Sequence, residues 1–211
     1  DIPGLEHLAS ADLVIFFTRL LTLPIGQQEQ IVSYLDSGKP MIALRTANHG
    51  FRGPLPYKID DKRVNFGNDV LGGSFRGHHG RWHADSTRGA IVKEQKNHPI
   101  VAGVKDIWGP SDVYRTYKEG TSLPEGCTAL VWGQPLMGRS HDDAPNEKKE
   151  PLPVAWFKTW KTISGKPCTS FRSRRFSFSW MLRVPVPLTT AVKGWLWSIW
   201  RTRPTRRSGK V

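Results

Sequence analysis

The chain has 211 residues, enough for one well-buried domain with a short appendage and too few for two full domains. Nine Trp and nine Phe within a hydrophobic content of 38% exclude a disordered chain, which is too poor in aromatics to offset its ordering entropy. The formal charge of +13 is uneven: residues 166–211 hold 11 of the 31 Lys and Arg and none of the 18 Asp and Glu, so attraction to polyanions is expected of that segment only.

In chain order, DLVIFFT (12–18) is a continuous apolar run between polar residues, the pattern of a strand buried on both faces. PIGQQEQIVSYLDSGK then has helical spacing. Pro24 suits the first turn, Ile31, Val32 and Leu35 recur on one side, and Gly38 stands where a C-terminal cap belongs. KPMIAL (39–44) predicts a second buried strand, and the resulting βαβ unit implies a parallel pair. FGNDVLGGSF (66–75) predicts a short helix closing on Gly72 and Gly73. GAIVKE (89–94) and VYRTYK (113–118) alternate more, which puts them at a sheet edge or in an antiparallel extension. CTALVWG (127–133) and PVAWFKTW (153–160) are two further strands around a polar loop, and TISGKP turns toward another. Residues 168–211 break this pattern, with four Trp, no Asp, Glu, Asn, Gln or His, and no sustained period.

The apolar runs are far shorter than the roughly 18 residues that span a bilayer, and no basic region followed by an apolar core opens the chain. Cys127 and Cys168 share no metal-knuckle spacing and indicate no disulfide framework, so a reducing, cytoplasmic compartment fits better.

Ligands of open α/β sheets gather beyond the carboxyl ends of the strands, which singles out ALRTANHGF (43–51). A nucleophile elbow would carry Ser or Cys at this turn, but Arg45 and Thr46 stand there, with Asn48 and His49 behind. Arg45 offers a planar fork of donors to a carboxylate, phosphate or sugar hydroxyl; alternatively it pairs with an acidic neighbour while His49 serves a loop carbonyl. In GGSFRGHHGRWHAD (72–85), His79 and His83 have the i, i+4 spacing of zinc ligands. Gly77 and Gly80 argue for a loop instead, and no HExxH follows, so a polar loop or a ligand-binding wall with Trp82 is preferred to a metal site. Asp85 is a further ligand or an orienting partner for a ring. Asp112 and Tyr114 lie two apart in GPSDVYR, on one side of a strand, where they can accept from and donate to a sugar hydroxyl or else face water.

Taken in order, LVIFFT, YLDSGKP, ALRTANHGF, LGGSFRGHH, NHPIVAGV, SDVYRTYK, ALVWGQPL and PVAWFK resemble the ThuA-like family, named for bacterial trehalose utilisation. The resemblance spans about residues 5–167, with GGSFRGHH, the HPI step and DVY its strongest motifs. It implies an α/β fold similar to the class I glutamine amidotransferases: a flavodoxin-like, mostly parallel sheet flanked by helices in a three-layer sandwich. Residues 1–167 would then form a ThuA-like domain that lacks the family's N-terminal strand, and 168–211 a basic tail. The amidotransferase Cys would fall in ALRTA, where Arg45 stands, so Cys-dependent glutamine hydrolysis is not expected.

The function implied is binding or processing of a carbohydrate or oxidised sugar. His78, His79 and His49 are the acid/base candidates, and Arg45, Thr46, Asn48, Trp82, Asp112 and Tyr114 the ligand-binding ones. A non-catalytic binding module is the alternative. No cofactor is expected, a divalent metal being the lesser reading, and the partner is a small polar ligand. Family members continue after SGKP into a strand like Ala-Arg-Val-Phe. Residues 168–172 permit those four when read from the second base of the Cys168 codon, so a shifted frame after Pro167 is the preferred account of the tail. A genuine basic aromatic arm for nucleic acid or a membrane surface, or a variable tail, are the others.

Overall fold

A computed structural model of the chain describes residues 1–59, 61–116, 123–162 and 167–173. The first apolar run forms β1 (Val14–Phe16), and after Pro24 the chain turns into α1 (Ile25–Asp36), whose Ile31, Tyr34 and Leu35 are buried. Gly38, at φ 74°, follows the helix in the left-handed conformation that its C-terminus requires. The Tyr34 hydroxyl donates to the Pro40 carbonyl at 2.6 Å, and the chain enters β2 (Met41–Leu44), parallel to β1 in the βαβ unit expected.

Two short pairs follow away from the main sheet. β3 (Lys58–Ile59) pairs with β4 (Lys62–Arg63), while β5 (Gly77–His78) pairs antiparallel with β8 (Tyr114–Arg115). The other strands are β6 (Thr87–Ile91), β7 (Ile107–Gly109), β9 (Cys127–Pro135), β10 (Leu152–Lys161) and β11 (Pro167–Ser173). The seven-stranded sheet has the order β1-β2-β11-β10-β9-β6-β7.

The fold is α/β, but parallel pairing is confined to β1–β2 and β2–β11, and the other four pairings are antiparallel. The mostly parallel expectation therefore holds for one half of the sheet only. Parallel neighbours need a long crossover, and the link from β9 to β10 is a polar loop with no helical period, so β10 runs back along β9. Among the described residues α1 is the only α-helix; FGNDV (66–70) forms a π-type turn where a short helix was expected.

The expectation that the first strand is buried on both faces is also corrected. Among the described residues β1 ends the sheet, and one face is left uncovered, with Ile15 39% and the following Phe17 61% exposed. Of the two places expected for the alternating segment 113–118, a sheet edge or an antiparallel extension, it takes the second kind, supplying β8 to the small antiparallel ribbon, and residues 117 and 118 lie outside the described residues. β11 crosses the expected boundary at residue 167, inserting between β2 and β10. Of residues 168–211, on which the frameshift and nucleic-acid readings rest, 174–211 lie outside the described residues. Among the described residues no helix is long and apolar enough to cross a membrane.

Two apolar clusters hold the sheet. One joins Phe16, Ile31, Leu35, Met41, Phe66 and Leu71, and the other joins Val101, Val113, Leu130, Val131 and Val154. The segment leading to Gly72 is fastened to the sheet by two buried hydrogen bonds. Trp156 Nε1 on β10 donates to the Leu71 carbonyl at 2.8 Å, and Ser170 Oγ on β11 to the Val70 carbonyl at 2.8 Å.

At the β6–β7 end, the exposed His141 ring contacts Asp142 through Nδ1 and Asp106 through Nε2, both at 2.8 Å. These bonds, Asp142's first, raise the His141 pKa above its ordinary 6.5, and the His141 bond lowers that of Asp106. The raised His141 contributes stability in full below its unfolded pKa and loses it as pH rises through the folded value. Asp106 contributes above its unfolded pKa and loses it as pH falls through the lowered one.

Two outcomes follow. Replacing Trp156 by Phe leaves the buried Leu71 carbonyl unpaired and should cost about 1–3 kcal/mol in urea unfolding; an unchanged midpoint would show that the bond carries nothing. By NMR, His141 should titrate above 6.5 and move down in Asp142→Asn and Asp106→Asn; a midpoint at or below 6.5 in the unaltered chain would contradict the clasp.

Candidate functional site

At the carboxyl end of β2 the chain enters a 3₁₀ turn, Arg45–His49. Arg45 opens it at φ 43°, a left-handed conformation that a side chain with a Cβ adopts only under strain. Its Nη1 donates to Ser111 Oγ at 2.7 Å, and its guanidinium carbon lies 5.0 Å from the centre of the Tyr114 ring.

The β5–β8 ribbon pairs His78 with Tyr114, and it is extended by bonds from Arg76 N to the Arg115 carbonyl and from His79 N to the Val113 carbonyl. This pairing brings Asp112, 34 residues away in sequence, against His78, with Asp112 Oδ2 2.6 Å from His78 Nδ1. The Asp112 side chain is 1% exposed and that of His78 32%. A carboxylate only accepts, so Nδ1 carries the hydrogen of neutral His78 and Nε2 is left as the reactive nitrogen. Among the described residues Nε2 has no hydrogen-bond partner.

Phe75 and Tyr114 form an aromatic floor 4.7 Å apart, on which the rings of His49 (4.8 Å from Phe75) and His78 (5.4 Å from each) rest. Trp82, 63% exposed, stands 5.6 Å from His78. His49 Nδ1 lies 2.8 Å from Asn48 Oδ1, and Asn48 is buried. Thr46 is half-buried in the same turn. Arg45, His49, His78, Trp82, Asp112 and Tyr114 are thus joined through direct contacts and the shared floor.

His79 stands apart from that cluster. Successive residues of a strand point to opposite faces, and His79 is buried with its Nε2 donating to the Glu150 carbonyl at 2.8 Å. His83 packs against Trp82 at a tilt, with ring centres 4.3 Å apart. Asp85 is turned toward Arg81, accepting from its backbone N at 2.6 Å and its Nε at 2.9 Å. Among the described residues no group of three or more His, Cys, Asp and Glu side chains is arranged to hold a metal ion.

Two contributors escaped the sequence reading. Phe75 lies inside the quoted motif, but nothing in its spacing marked it as the floor. Ser111, the acceptor for Arg45, adjoins Asp112, and only the tertiary approach of two loops 66 residues apart reveals it.

No protein-family model and no curated protein matches the chain. Among solved structures it is similar to a protein named as ThuA-like from Bacteroides uniformis, with 14% identity over 72% of this chain and a TM-score of 0.47. It is also similar to a cytoplasmic protein, STM3548, from Salmonella typhimurium, with 13% identity over 82% of this chain and a TM-score of 0.39. The chain spans 57% and 65% of the lengths of these two proteins.

The Asp112 contact predicts which nitrogen of His78 holds the hydrogen. In ¹⁵N NMR at a pH where the ring is neutral, His78 should be the Nδ1–H tautomer, and Asp112→Ala should shift it toward Nε2–H. Finding Nε2–H in the unaltered chain would rule out the arrangement.

Proposed function

We propose that the chain is a ThuA-like domain, derived from the flavodoxin-like fold, that takes a carbohydrate or oxidised-sugar ligand at the His78 cluster. His78 acts there as general acid/base. The observation that carries this reading is the buried Asp112 carboxylate 2.6 Å from His78 Nδ1, with Nε2 unpartnered among the described residues beside the exposed Trp82. An oriented imidazole that is partly open to solvent is the arrangement that proton transfer at neutral pH needs.

The remaining groups suit a sugar. Trp82 offers a flat apolar face to a pyranose ring, and Arg45 presents a rigid fork of donors for ring or exocyclic oxygens. The ordered series of motifs from LVIFFT to PVAWFK supports the family, and the family name supports the ligand class. His79, bonded to the Glu150 carbonyl, is assigned a supporting role, anchoring the ribbon to the loop before β10.

Cys-dependent glutamine hydrolysis is left out of the proposal for a chemical reason. The strained position after β2 carries Arg45, and burial pushes the Cys127 thiol up, the opposite of an activated nucleophile. The second reading, binding without turnover, uses the same groups and is favoured by the direct bond that fixes Arg45 on Ser111.

The test is a thermal-shift screen of the full chain against trehalose, D-glucose, D-gluconate and their keto derivatives, followed by turnover assays on any sugar that binds. His78→Gln should keep binding within a few-fold and lower turnover by roughly 10²–10⁴-fold. Binding with no turnover by the unaltered chain would select the binding module, and no binding of any of these sugars would sink both readings.

A further inference from the structure

We propose that Asn48 and Thr18 form an inner subsite, behind His49 at the carboxyl ends of β1 and β2, that takes a hydroxyl or carbonyl oxygen of the ligand. The inference rests on reading the His78 cluster as a carbohydrate site and adds to it a second, deeper point of recognition.

Asn48 is 1% exposed. Its Oδ1 is held by His49 and its backbone carbonyl accepts from Ser74 Oγ at 3.0 Å, yet its Nδ2 is buried with no acceptor among the described residues. In this arrangement Nδ1 of His49 carries the ring hydrogen and donates to Oδ1, which leaves Nδ2 as the unmatched donor. Thr18 Oγ1 is likewise buried with no partner among the described residues.

These two atoms belong to one place in the fold. β1 and β2 run parallel with Phe16 opposite Ala43, so the register continued by two residues sets Thr18 opposite Arg45, at the start of the turn that carries Asn48. Beyond the strands, Leu20 N donates to the His49 carbonyl at 2.8 Å and Leu21 N to the Gly50 carbonyl at 2.7 Å, keeping the two segments side by side. Gly50 lies against Thr18, where a Cβ would collide with Oγ1, so the hydroxyl faces the 47–50 turn.

A buried donor without an acceptor is destabilising, and native proteins retain such groups chiefly where something else supplies the partner. Two of them at the ends of adjacent parallel strands lie where α/β sheets gather ligands. Asn48 Nδ2 donates and the Thr18 hydroxyl can donate or accept, a pair that matches a hydroxyl or carbonyl oxygen and rejects an apolar or aromatic group. The class of ligand selected is a polyol or keto-sugar.

The experiment compares Thr18→Val and Asn48→Asp with the unaltered full chain, by melting temperature and by calorimetric titration with trehalose, D-glucose and D-gluconate. Thr18→Val should raise the melting temperature, because it removes an unsatisfied hydroxyl, and should weaken binding roughly tenfold. Asn48→Asp keeps the acceptor for His49 but replaces the donor with an acceptor, and should weaken binding at least as much. A lower melting temperature for Thr18→Val would mean that solvent already satisfies its hydroxyl, and would overturn the subsite, as would unchanged binding in Thr18→Val. If Asn48→Asp does not fold, Thr18→Val alone decides. Unaltered binding in Thr18→Val removes this subsite while leaving the outer site standing, whereas no sugar binding by the unaltered chain overturns both.

Discussion

The site depends on how one glycine-rich segment is tied to the sheet. Trp156 on β10 and Ser170 on β11 reach the successive carbonyls of Leu71 and Val70, just before the chain turns at Gly72, whose φ of 79° suits a glycine. A Cβ at Gly72 would meet Cys127 Sγ and Trp156 Nε1, so the backbone can approach the sheet this closely only without one. From that anchor the chain runs through Ser74, bonded to the Asn48 carbonyl, to Phe75 and His78. Two buried side chains on the sheet therefore set where the aromatic floor lies, and the floor sets where the histidines can stand.

On that floor the balance of burial differs between partners. Asp112 is almost wholly withdrawn from water, while His78, its partner, is a third exposed. A buried carboxylate is costly unless it is hydrogen-bonded, so the pair is tightly committed on one side and open on the other. That asymmetry is useful for proton transfer, because the ring is held firmly by Nδ1 while the opposite nitrogen faces outward chemistry. Arg45 adds a second constraint, since the Ser111 bond and the Tyr114 ring hold its side chain in place over a left-handed backbone.

The sheet divides the molecule into two halves with different logic. The β1–α1–β2 unit and β11 are parallel and present their carboxyl ends to the Arg45 turn, as ligand-binding α/β sheets do. From β10 onward the strands run antiparallel, linked by polar loops, and they carry their own apolar cluster. Both halves meet at β11, so the segment starting at Pro167 is integral to the sheet despite its departure in composition.

Local patterning was enough for the elements whose neighbours are close in sequence. The 3.6-residue period with Pro24 and Gly38 at its ends yields α1, the run at 39–44 yields a buried strand, and the βαβ order implies their parallel pairing. The quoted motifs also contain most of the residues that gather at the site. Other features were decided by contacts distant in sequence. Whether β1 is central or at the edge depends on which strands flank it, and whether His78 or His79 joins the aromatic floor depends on the register of a two-residue ribbon with β8. The pairing of His78 with Asp112 spans 34 residues, and that of Arg45 with Ser111 spans 66. The sequence by itself determined α1, the strands β1, β2, β9 and β10 and the stock of polar and aromatic groups, because these follow from periodicity and residue chemistry. Only the tertiary structure decided which histidine meets a buried carboxylate, because side-chain partners across a fold are chosen by strand register and loop approach, and neither leaves a local periodic mark.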